Sequence, residues 1–125
     1  MKALQIEQTD RSPKVILDAG NNIFELSGRS LSQDAMDFYK PVFDWLETYA
    51  QSPNPETIFV MNFEYINTVS SKIILELIFK LEEISEKSSN VSVLWCFDYS
   101  DMLYIGKEFS ELVSIPFKFK NVEKK

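Results

Sequence analysis

Between Thr68 and Lys87 the apolar residues Ile73, Ile74, Leu77, Ile78, Leu81 and Ile84 recur at helical spacing and fall on one broad face. On either side lie runs of strand character: Thr57-Ile58-Phe59-Val60-Met61 before it and Val91 to Phe97 after it. A helix of that length between two apolar strands implies a crossover that returns a parallel strand to the same sheet, and such crossovers are right-handed. This unit limits the chain to folds in which helices pack on a partly parallel sheet. The unbroken apolar run from Val91 to Phe97 predicts a strand covered on both faces.

The flanking segments extend the same plan. Ala3 to Glu7 predicts a short first strand, with turn residues from Thr9 to Pro13. Lys14–Asp18 and Asn22–Leu26 flank Ala19-Gly20-Asn21 and predict an antiparallel hairpin, its second strand partly wet and near an edge. A first helix from Ser32 to about Gln51 carries Phe38, Val42, Trp45, Leu46 and Tyr49 as one stripe. Pro41 within it predicts a kink or a break into two helices. Ser88-Ser89-Asn90 ends the second helix. Asp98 to Asp101 caps a third that reaches about Val113, and Pro116–Val122 is a last edge strand guarded by Lys118 and Lys120. Glu123-Lys124-Lys125 reads as a frayed tail. The predicted fold is α/β: a mixed sheet with an N-terminal antiparallel hairpin and about three helices, forming one domain over residues 1–125.

The transition from strand to helix pattern falls at Asn67-Thr68. Asn67 is a favoured helix cap, and Thr68, Ser70 and Ser71 lie in or near a first turn whose N–H groups lack intrahelical acceptors. A phosphate on one of these hydroxyls would meet unpaired donors, the positive end of the helix dipole and the ammonium of Lys72. The same residues also read as a helix cap alone. Leu75 and Phe79 fall among the charges Lys72, Glu76, Lys80 and Glu83 on the outer face, as partner contacts or as a satellite core under the first helix.

Composition removes several function classes. A net charge of −6 argues against nucleic acid, which is held by clustered Lys and Arg. The chain has no histidine, so a His-based triad is impossible and a metal site would need carboxylates and one thiol. With three glycines it lacks a phosphate-cradling loop, and neither cofactor nor metal is expected. No apolar run reaches the ~18 residues of a membrane span and no secretory signal is evident, so a cytoplasmic location is expected, without membrane insertion. Cys96, flanked by apolar residues, predicts a buried thiol. Acid–base work by carboxylates stays open, with Glu64 near Thr68, and Asp98 with Asp101, as candidates for a small carboxylate-dependent hydrolase or ligand-binding domain.

The segment Glu64-Tyr65-Ile66-Asn67-Thr68-Val69-Ser70-Ser71-Lys72 resembles the signature of the SiaC family of bacterial regulatory phosphoproteins, relatives of the STAS-type anti-sigma-factor antagonists. The likeness includes Gly28-Arg29-Ser30, Phe38-Tyr39-Lys40-Pro41 with Trp45-Leu46, and Trp95 with Asp101-Met102 and Gly106. Val69 stands where the family usually has serine, and Ser32-Gln33-Asp34 replaces a more usual Pro-Glu-Asn. The resemblance implies a STAS-like fold and a partner-switching signal-transduction protein rather than an enzyme. It makes Thr68 the phosphorylated residue, with Asn67, Ser70, Ser71, Lys72 and Glu64 around it. It further implies a kinase of histidine-kinase-like fold, a metal-dependent serine/threonine phosphatase, and a diguanylate cyclase activated by the unmodified form, which places the protein in cyclic di-GMP regulation. Sequestration of an anti-sigma factor, as in STAS relatives, is the alternative.

Overall fold

The computed structural model describes residues 1–87 and 89–122. The elements run β1 (Leu4–Ile6), β2 (Lys14–Asp18), β3 (Ile23–Ser30), α1 (Ala35–Tyr49), β4 (Glu56–Ile66), α2 (Thr68–Lys87), β5 (Asn90–Phe97), α3 (Ser100–Ser110) and β6 (Phe117–Asn121). The six strands lie in the sheet in chain order. β1, β2 and β3 pair antiparallel, and β3 through β6 pair parallel. The expected hairpin is present, with Asn22 at φ 57° in its turn. Asn tolerates this left-handed conformation better than most residues.

Each of the three helical connections moves one strand further in the same direction, so a common crossover hand places all three helices on one side. The burial pattern agrees. Thr57, Phe59, Met61 and Phe63 of β4 are buried, whereas the alternate residues Ile58, Val60, Asn62 and Glu64 are exposed or half-buried. β5 repeats the pattern from Val91 to Trp95, with Ser92 and Leu94 half-buried, and departs from it only at Cys96, which is buried on that second face. The double cover predicted for β5 is therefore corrected to a single helical layer. β3 is also not near an edge, because it pairs with both β2 and β4; its wet residues lie on the bare face. The edges are β1 and β6.

Helix α1 is shorter than expected and runs without interruption through Pro41, which lies on its exposed side. Its core stripe is Ala35, Tyr39, Val42, Trp45, Leu46 and Tyr49, with Phe38 half-buried. The six predicted apolar residues of α2 are all buried. The third helix stops at Ser110, short of Val113. Ser88 and the tail 123–125, on which two expectations fall, lie outside the described residues. Cys96 is buried, and burial pushes its thiol above the usual range.

Candidate functional site at the start of helix α2

β4 extends beyond Met61 to Ile66, carrying the chain to the helix at Asn67. There the backbone N–H of Asn67 donates to the Ser30 carbonyl at 3.0 Å, tying the ends of β3 and β4 together. The Asn67 Oδ1 accepts from the Ser70 N–H at 2.8 Å, and the Asn67 carbonyl accepts from the Ser71 N–H at 2.9 Å. This is the N-cap that the sequence predicts. Thr68 is the first helical residue and is exposed, as are Val69 and Lys72. The N–H groups of Thr68 and Val69 precede the first intrahelical bonds and point out of the helix end. Asn67→Ala is expected to destabilise the protein by about 1 kcal/mol, the usual worth of such a cap, read as a lower urea midpoint with unchanged slope.

Ser70 does not sit where a phosphate neighbour would. It is fully buried, and its Oγ accepts from Ser30 Oγ at 2.7 Å. Ser30 Oγ in turn lies 2.8 Å from the hydroxyl of Tyr39 in α1. Burial holds the Tyr39 phenol well above its ordinary pKa, so it stays protonated. This buried chain of hydroxyls fastens the first turn of α2 to β3 and α1, leaving Thr68 and the half-buried Ser71 as the hydroxyls facing outward. Proximity in sequence alone groups Ser70 with the phosphosite. The signal for its burial was its spacing, three residues before Ile73 and four before Ile74, on the core face of the helix.

Glu64 lies on β4 within reach of Arg29, at 3.5 Å between Nε and Oε2. Arg29 was not a predicted site residue. A register shift between Gly28, at φ +115°, and Arg29 brings it opposite Tyr65. Glu64 and Asp98 together line a cleft of about 330 Å³ with Gln8, Ser27 and Asn62 among others. Thr68, Ser70 and Ser71 are not in its walls, so the carboxylate and the first-turn hydroxyls do not converge as a small hydrolase would need. No group of three or more acidic or thiol ligands among the described residues is arranged to hold a metal. No helix among them is long and apolar enough to cross a membrane.

Further along α2, Leu75 is half-buried and packed against the core, the satellite-core alternative of the two expected for it. Phe79 is exposed and lines a shallow groove with Phe43 of α1, Glu76, Lys80 and Glu83. Lys80 bonds Glu47 of α1 as well as Glu83, so it bridges the two helices rather than pairing only along its own.

The family model for SiaC family regulatory phosphoproteins matches residues 6–122. The chain belongs to the SiaC family. It is 25% identical over 119 residues to an uncharacterized protein of Pseudomonas aeruginosa strain UCBPP-PA14, covering 94% of each chain. The crystal structure of apo-SiaC from Pseudomonas aeruginosa superposes with a TM-score of 0.88 at 25% identity, covering 96% of this chain and 99% of the other. A second solved structure, of the diguanylate cyclase SiaD in complex with its activator SiaC from the same organism, matches with a TM-score of 0.88 at 24% identity, over 95% of this chain and 99% of that one. The mixed sheet with its opening hairpin and three helices is thus the fold of SiaC family members.

Proposed function

We propose that the unmodified protein binds and activates a diguanylate cyclase, and that phosphorylation of Thr68 releases the cyclase. The protein acts by binding rather than by turnover. A histidine-kinase-like kinase adds the phosphate and a metal-dependent serine/threonine phosphatase removes it. The observation that carries this reading is the exposed Thr68 at a capped helix start, beside a half-exposed apolar strip on the same helix. The SiaC protein that activates the cyclase SiaD in its complex has the same fold, which supports the choice of partner over an anti-sigma factor.

In this reading the phosphate accepts from the Thr68 and Val69 N–H groups, with the Lys72 ammonium one turn along the helix. Asn67 serves as the cap and Ser71 as an outward-facing neighbour. Glu64, paired with Arg29, sets the charge on the adjoining strand end. Phe79 supplies the main apolar contact to the partner and Leu75 a minor one. Adding the unmodified protein to the cyclase is expected to raise the rate of cyclic di-GMP formation. Thr68→Ala should activate as well as wild type, whereas Thr68→Glu should activate weakly or not at all. Equal activation by all three would remove the switch.

A further inference from the structure

Strands β3 to β6 are parallel, and parallel strands are almost always covered on both faces. Here the helices cover one face only. The other presents Ile23 and Ile58, 44% and 43% exposed, with Ile16, Val60 and Leu94 half-buried around them. We propose that this bare face is the interface of a homodimer, two copies packed sheet on sheet about a two-fold axis that runs along the strands between β3 and β4.

The strand register supplies the argument. One row of side chains crosses the face as Gln5, Ile16, Glu25, Val60, Leu94 and Lys118, one residue from each strand. With six strands in chain order, the axis lays β2 on the partner's β5, β3 on β4 and β1 on β6. Ile16 then meets Leu94. In the row below, where the register is continued two residues toward the strand starts, Ile23 meets Ile58. In the row above, Ser27 meets Asn62 as a polar pair. Nearest the axis Glu25 meets Val60, and its carboxylate is already paired with Lys14 at 3.2 Å. The charged rims also agree. Lys118 and Lys120 project from the β6 edge, and the exposed Glu7 directly follows β1 at the opposite edge. The proposed axis sets the lysine rim over the acidic one, whereas an axis across the strands would set lysine on lysine. Aligned sheets pack within about 30° of each other, so pairs near the axis hold most closely and the rim pairs act through long side chains. The helices lie on the opposite side of the sheet, so the Thr68 surfaces stay outward in both copies.

Sedimentation equilibrium on the full chain from about 1 μM to about 100 μM, the range in which a micromolar dimer dissociates, tests the proposal. The expected mass rises from the 14.5 kDa of one chain to twice that value. Ile58→Glu, at an exposed site that tolerates charge in the isolated chain, should stay at the single-chain mass throughout while keeping the wild-type circular dichroism. Lys118→Glu with Lys120→Glu should weaken association, and adding Glu7→Lys should restore part of it. A wild type with the mass of one chain at every concentration would overturn the proposal. So would a dimer indifferent to Ile58→Glu, which would place the interface elsewhere, or a face that becomes protected only when a different protein is added.

Discussion

An alanine at position 106 is expected to destabilise the protein by about 3 kcal/mol, although alanine is the better helix former by about 1 kcal/mol. Gly106 lies in α3 against Trp95, and a Cβ built there would come within 2.4 Å of the indole Cδ1 and 2.5 Å of Nε1. The indole cannot yield easily. Trp95 is fully buried, donates its N–H to the Met102 carbonyl at 2.9 Å, and packs on Phe63, Phe109 and Phe117. To admit the methyl group, α3 must lift from the sheet or the indole must leave its carbonyl, and a buried N–H without an acceptor costs about 1–3 kcal/mol. Against a total stability of about 5–15 kcal/mol this is a large fraction. Urea denaturation should show a lowered midpoint. A midpoint equal to or above that of wild type would mean that helix propensity outweighs the contact and that the packing of α3 on Trp95 is looser than described.

The second large effect concerns the switch. Stoichiometric phosphorylation of Thr68 is expected to weaken cyclase binding by at least about 100-fold, or about 3 kcal/mol, through desolvation and repulsion of about two added charges. The same modification should leave thermal stability unchanged or slightly raised, because the phosphate sits at the positive end of α2 and leaves the interior intact. The two readouts move apart only if the phosphosite is a surface feature. A modified protein that lost binding because it had partly unfolded would show a falling midpoint. Calorimetric titration of the cyclase with each form, beside a thermal scan, separates the cases.

The parts of this fold that were legible in the sequence are those in which one element's own pattern decides its environment. The α2 core face followed from spacing, and the β2–β3 hairpin from two strand runs around a turn. The cap at Asn67 followed from a change of period at a favoured residue. What a single element does not encode is what lies beside it. Leu94 has the composition of a doubly covered strand, yet it is only half-buried, because the helices among the described residues lie on the other face. β3 reads as an edge because its alternate residues are wet, but wetness there reports a bare face and not a sheet boundary. The helical wheel leaves Leu75 as either a partner contact or part of a satellite core, and only the folded chain decides for the sheltered place. Nearness in sequence groups Ser70 with Thr68, whereas its partner Ser30 lies 40 positions earlier in the chain, is itself bonded to Tyr39, and meets Ser70 only in the folded state.

The account turns on which hydroxyl at the head of α2 faces outward. Intact mass and peptide mapping after treatment with the histidine-kinase-like kinase and ATP address this directly. The predicted result is a single added phosphate on Thr68 in wild type and none on Thr68→Ala. Phosphate located on Ser70 or Ser71, or a Thr68→Ala protein modified as fully as wild type, would contradict it.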